Sequence, residues 1–156
     1  MPLRLSGEEL LEAPAERVFA LLTDKNTVAT LIPDLESHQI DEQGTLHGVV
    51  RPGFSFLRGT LRLAIRIEPA PAERQATMLV AAEGIGTSME VRSTMVLERA
   101  GGGTRLKWSA NVESIRGLLA AVSPALIQAA ASKVMADGWE RLRRHLRNEA
   151  ANEGKP

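Results

Sequence analysis

The sequence predicts an α+β domain in which a twisted antiparallel sheet wraps around one long C-terminal helix. Three observations predict it. Apolar and polar side chains alternate with a period of two over 60–68, 87–99 and 106–112. Glycine-bearing turns separate these runs by only a few residues, as in a meander of hairpins. From Pro124 to about Arg147 the apolar spacing becomes helical, with Ile127, Ala131, Met135, Leu142 and Leu146 on one stripe.

In chain order, Leu3, Leu5 and Leu10 flank Gly7 in a first strand of imperfect alternation. Pro14 suits the first position of a helix, whose apolar stripe (Val18, Phe19, Leu21, Leu22) stops near Asp24. A second short helix over Thr27–Leu31 is closed by Pro33, which biases Ile32 away from helical geometry. Leu35–Asp41 and Thr45–Arg51 form a hairpin whose turn contains Glu42, Gln43 and Gly44, the glycine supplying a positive φ. The clearest strand follows over Thr60–Glu68, with Leu61, Leu63, Ile65 and Ile67 on one face and Arg62, Arg66 and Glu68 on the other. Gln75–Glu83 and Thr87–Arg99 are joined by a tight turn at Gly84, Ile85 and Gly86. Gly101, Gly102 and Gly103 lead into a last strand carrying Leu106, Trp108, Ala110 and Val112. After Glu113 the alternation breaks, and Ile115–Val122 reads as an apolar connector too short to span a bilayer. Ser123 then caps a helix that opens at Pro124 and is about 36 Å long at the usual rise. The chain is expected to form one domain over 1–147, followed by a frayed polar tail over 148–156.

Composition removes several function classes. At 156 residues one core suffices, and a hydrophobic fraction of 44% with 24% charged residues is ordinary for a folded globule. Lys and Arg (19) balance Asp and Glu (19), so the broad basic field that nucleic-acid binding uses is missing and no nucleic-acid partner is expected. The absence of cysteine excludes thiolate catalysis and sulfur-ligated metals; the absence of tyrosine excludes phenol acids. Residues 1–11 lack the basic start and long apolar run of a secretory signal, which makes the cytoplasm the expected location.

The search for chemistry returns mainly negatives. Gly84, Gly86 and their neighbours match only part of a dinucleotide fingerprint and lie between strands. There is no nucleophile elbow, no metalloprotease histidine pair and no phosphate loop. Glu36, His38 and His47 form the one polar cluster: a turn centred between Glu42 and Gln43 would set His38 across from His47 with Glu36 on the same face. Such a trio could hold a metal or supply an acid–base group, or could simply be a solvated face. No metal and no cofactor are expected. His145, near the helix end, is expected to complement the helix dipole.

The apolar pattern says more. Met78, Met89, Met95, Met135, Trp108 and Trp139 lie on elements that should face each other, and they suit either ordinary core packing or an adaptable cavity. Ala129, Ala130, Ala131, Ala136 and Gly138 give the long helix little volume with which to fill a curved sheet. Two apolar loops, around Phe54 and Phe56 and around Leu118 and Leu119, stand where polar connections would be usual. These features lead to a candidate lining of Leu63, Ile65, Met78, Met89, Val91, Met95, Trp108, Val134 and Met135, with Phe54, Phe56, Leu118 and Leu119 as candidate gate.

The element order resembles the START-like helix-grip (SRPBCC) superfamily, which includes polyketide cyclases and pathogenesis-related proteins. Within it the chain is most similar to the CoxG group, the G-subunits of carbon monoxide dehydrogenase. The carriers are Gly7; Pro14, Val18, Leu22 and Asp24; Ile32 and Pro33; Gly59; Gly84 and Gly86; Gly103 to Leu106; and Gly117 to Leu119. The resemblance covers Leu3 to Leu146. It implies a seven-stranded sheet around the terminal helix and an apolar cavity beneath that helix. It also implies an accessory role, helping a molybdenum-containing dehydrogenase reach the membrane or a lipophilic acceptor. Asp34 departs from the glycine usual in the group, and the short C-terminus departs from relatives with a long extension suited to membrane attachment. The expectation is therefore non-catalytic binding of a lipid-like or quinone-like molecule, in the cytoplasm or peripherally at the inner membrane face. The alternative is a cyclase or dehydratase working in the same cavity.

Overall fold

In the computed structural model, residues 3–54 and 58–153 are described. Strand β1 (Leu3–Leu11) is followed by helices α1 (Ala15–Leu22) and α2 (Lys25–Leu31). Six strands come next: β2 (Leu35–Ile40), β3 (Leu46–Val50), β4 (Leu61–Ala70), β5 (Gln75–Gly84), β6 (Thr87–Ala100) and β7 (Gly103–Gly117). A 3₁₀ turn at Leu118–Ala121 leads to helix α3 (Pro124–Glu153). The strands form one antiparallel sheet in the order β1-β7-β6-β5-β4-β3-β2, with α3 packed on one face. This is the helix-grip arrangement expected from the sequence.

Local chemistry explains where the elements begin. Pro14 lies just outside α1 as its extended N-cap, rather than at its first helical position. Asp24 ends nothing; its carboxylate accepts from the Thr27 backbone N–H at 3.3 Å and from the Thr27 hydroxyl at 2.6 Å, which starts α2 two residues earlier than the apolar pattern indicates. Ser123 caps α3 as expected, its hydroxyl accepting from Leu126 N–H at 3.2 Å. Asp34 adopts φ 61°, the left-handed region that glycine occupies most cheaply, which accounts for the glycine usual there in similar chains.

Two strands differ instructively from their sequence reading. In β1 the inward set is Leu3, Leu5, Gly7, Glu9 and Leu11, with Leu10 turned out and 64% exposed. Glu9 occupies an apolar position and so spoils the alternation. In β7 the strand continues to Gly117, past the apparent break at Glu113. Val112 pairs with Val91 and Ser114 with Glu90, leaving Glu113 as the extra residue of a bulge. A bulge inverts the phase of everything beyond it, so Ile115 returns to the inner face opposite Met89.

Helix α3 is longer than expected and unevenly held. It continues to Glu153 instead of fraying near Arg147, with Glu149 ion-paired to Arg17 of α1 at 2.6 Å and to His145 at 3.2 Å. His145 is thus an interior helix residue paired with a glutamate rather than a terminal dipole partner. Trp139, Leu142 and Leu146 are buried in the C-terminal half, where Arg143 also pairs with Glu9 at 3.1 Å. The N-terminal half buries Ile127 alone among its described residues, and the helix backbone approaches α2 and β1 most closely.

Candidate functional site

The sheet's inner face and α3 enclose the interior. Inward residues follow from the register: Leu46, Gly48 and Val50 on β3 lie opposite Ile65, Leu63 and Leu61 on β4, and the row continues through Val80, Met78 and Ala82 on β5 and Met89, Val91, Ser93 and Met95 on β6. Seven of the nine predicted lining residues come from these strands and β7, all on this face. Met135 and Val134 come from the helix.

The face is not uniformly sealed. Ile65 and Met95 are buried, whereas Leu63, Met78, Met89, Val91 and Trp108 are half-buried although they point at the helix. Buried residues form three separate apolar clusters. One joins α1 and the end of α3 through Leu22, Leu106, Trp139 and Leu142. Another gathers Val50, Leu61, Leu119 and Ile127. The third sets Val28 and Ala29 against Leu46 and Ile65. Met78 and Leu63 each border two clusters, and Met89 and Met135 border one each. Among the described residues, these four and Val91 mark where the clusters fail to merge. The reason is the one the small helix residues suggest: Ala130, Ala131 and Gly138 turn partly inward and add little volume, while Ala129 and Ala136 face solvent. Val134, predicted to line the interior, is 41% exposed on the helix flank.

Of the candidate gate, Leu118 and Leu119 divide by orientation. The Leu118 N–H donates to Gly86 O at 3.0 Å, and the Leu119 N–H donates to the Thr87 hydroxyl oxygen at 3.2 Å. This leaves Leu118 66% exposed and Leu119 buried. Gly117, at φ 83°, makes the turn possible, since a Cβ there would fall on the Gly86 carbonyl. Phe54 packs beside Leu61 and Leu119. Phe56 lies outside the described residues.

The polar cluster does not assemble. The hairpin turn is centred on Gln43, with the Asp41 N–H donating to Thr45 O at 3.0 Å and the Asp41 carboxylate accepting from Gln43 and Thr45 N–H at 2.9 Å each. His47 therefore pairs with Gln39 and faces outward, whereas His38 pairs with Gly48 and faces inward at the open edge. Glu36 sits in a bulge and lies 3.5 Å from Arg51. A half-residue error in the turn centre moves the two histidines to opposite faces. His47 instead meets Asp41 at 2.8 Å; this hydrogen bond, with those from Thr45 and Gln43, holds the Asp41 carboxyl below its usual range. Among the described residues no group of three or more His, Cys, Asp or Glu side chains is placed to hold a metal.

Two surface concavities flank the interior. One, about 450 Å³, lies between α2, β2 and α3 and is lined by Ala29, Ile32, Leu35, His38 and Arg141 among others. The other, about 470 Å³, lies at the rim beneath Leu118 and is lined by Arg62, Glu83, Thr87 and Arg116 among others. Neither includes the predicted lining residues. Sequence reasoning missed Val80, Glu9 and Arg143 on the interior side. Val80 was accessible from its spacing to Met78, but Glu9 and Arg143 became visible only as a pair across the sheet–helix interface.

No helix among the described residues is long and apolar enough to cross a membrane. No curated protein matches the chain. The fold is similar to that of a conserved protein from Geobacillus kaustophilus, with a TM-score of 0.85 at 17% identity over 94% of this chain and 96% of that one. It is also similar to a START superfamily protein from Mycobacterium smegmatis (TM-score 0.69, 14% identity, 93% and 97% covered). A third similar structure is Ara h 8.0201 (TM-score 0.70, 15% identity, 95% and 99% covered). The family profile of the carbon monoxide dehydrogenase G-subunit (CoxG) matches residues 7–147. With that match spanning most of its length and the START-like fold beneath it, the chain belongs to the CoxG family of carbon monoxide dehydrogenase.

Proposed function

We propose that this protein binds a lipophilic small molecule, lipid-like or quinone-like, between the sheet and α3 without transforming it. In this reading it serves as an accessory or membrane-recruitment factor for a carbon monoxide dehydrogenase-type molybdenum hydroxylase. The observation that carries the binding function is the half-buried state of Leu63, Met78, Met89 and Val91, which face the helix yet retain contact with solvent. Apolar surface in that position is stabilised by about 25 cal/mol per Å² when a ligand covers it. The methionines supply side chains that can re-pack around different contents. Family membership supports the accessory role, and the outward Leu118 beside Arg116 suits transient contact with the inner face of the cytoplasmic membrane.

A cyclase or dehydratase in the same space would need an acid–base group directed into it. Of the proposed trio, His38 alone remains on the inner side, exposed at the sheet edge. Native mass spectrometry and organic extraction of the purified protein test the binding function. A co-purifying apolar molecule at near-stoichiometric amount is expected, and failure to retain or take up any hydrophobic probe overturns it. Co-purification of the dehydrogenase itself tests the accessory role separately.

A further inference from the structure

Among the described residues, the buried side-chain nitrogens without a hydrogen-bond acceptor are the indole N–H groups of Trp108 and Trp139. They belong to one ring pair, with centroids 6.0 Å apart and planes inclined at 41°. Each such donor costs about 1–3 kcal/mol when sequestered from water, and folded proteins leave few of them. Two in a single contact at the sheet–helix interface is therefore an unusual concentration of unused donor capacity.

The chain has arranged for this placement. Trp108 lies over Gly7 of the neighbouring strand, where a Cβ would stand 2.9 Å from its Cζ2 and 3.0 Å from its Nε1. Trp139, only 7% exposed, meets it from α3. The side chains around the pair are apolar, including Leu106, Met95, Met78 and Met135. The nearby cation, Arg143, is engaged with Glu9.

We propose that the tryptophan pair is the polar subsite of the ligand space and takes a neutral carbonyl oxygen, of ketone, ester or amide type, on an otherwise apolar ligand. This rests on the binding function above and specifies its ligand chemistry. A carbonyl oxygen offers two lone pairs and no hydrogen, which matches two donors in apolar surroundings. A water or an alcohol would bring hydrogens that need acceptors the cluster does not supply. A carboxylate would be buried without a free counter-charge. The half-buried thioethers of Met78 and Met135 border the pair and can turn aside to admit the group.

The test is a calorimetric titration of the full chain with 2-acetylnaphthalene and with 2-ethylnaphthalene, which share a ring system and nearly a shape but differ by the carbonyl. The ketone is expected to bind about tenfold more tightly, equivalent to about 1.4 kcal/mol. Trp108→Phe and Trp139→Phe keep an aromatic ring and remove the donor. Each should reduce the preference at least threefold while leaving the hydrocarbon affinity unchanged. Equal affinity of the unmodified protein for both probes overturns the subsite and leaves the binding function standing. Retention of the full preference in both variants also overturns the subsite. Binding of neither probe overturns both proposals. If a variant fails to fold, the probe comparison on the unmodified protein decides alone.

Discussion

Replacing Leu142 and Val134 by alanine, one at a time, measures how unevenly α3 is held. Leu142 is 0% exposed and sits in the cluster formed by α1, the sheet and the end of α3. Its truncation removes buried carbon and leaves a cavity that the surrounding Leu and Trp side chains fill only partly. Such changes cost about 2–5 kcal/mol. For a chain of this size each kcal/mol lowers the melting temperature by roughly 2–4 °C, so Leu142→Ala should melt about 6–12 °C lower for a mid-range cost of about 3 kcal/mol. Val134, two turns earlier and 41% exposed, should lose no more than about 0.5 kcal/mol on the same change. Urea unfolding followed by tryptophan emission gives both numbers. Hydrogen exchange should in parallel show amides over 127–136 opening more easily than those over 139–147. A Val134→Ala cost equal to that of Leu142→Ala would mean the N-terminal half of α3 is packed as tightly as the rest, and the argument for accessible space beneath it would fail.

Three further outcomes follow from single contacts. Gly7→Ala places a Cβ against the Trp108 ring and should destabilise by about 1–3 kcal/mol with a shifted tryptophan emission; an unchanged spectrum and melting point would contradict the close approach. Thr104→Val removes the buried hydroxyl that donates to Ala13 O at 2.6 Å, and urea titration should register a loss of about 1–3 kcal/mol. His47→Phe deletes the largest influence lowering the Asp41 carboxyl, so its pKa, followed by NMR of the side-chain carbon, should rise toward the ordinary value. Because the folded value is depressed, the stability this carboxylate contributes is present above the unfolded carboxylate range and disappears as pH falls through the lowered value. The variant should shrink that acid-dependent contribution, and an unmoved Asp41 titration would refute the assignment.

Much of this molecule was legible as periodicity. Period-two runs located β4, β5 and β6, and the helical stripe located α3, because each element has one dry face and repeats its chemistry at its own geometric interval. The same logic made Leu63, Met78, Met89 and Val91 recognisable as inward-facing. Legibility ended where a local irregularity changed the phase. Glu113 and Glu36, each the extra residue of a bulge, carry no sequence mark that distinguishes them from ordinary strand residues, and the turn centre at Gln43 depends on hydrogen bonds from two amides to Asp41.

Residue order along the chain thus specified the element types, their succession and the dry face of most strands, since these are set by neighbours a few positions away. Contacts between distant segments settled the rest: His38 and His47 on opposite faces, Glu9 paired with Arg143, Leu118 outward while Leu119 turns in, and the two indoles brought together across the sheet–helix interface. Such juxtapositions depend on the register of separate strands and on how a helix seats over them, and registers shift by whole side-chain directions when one residue is added or removed.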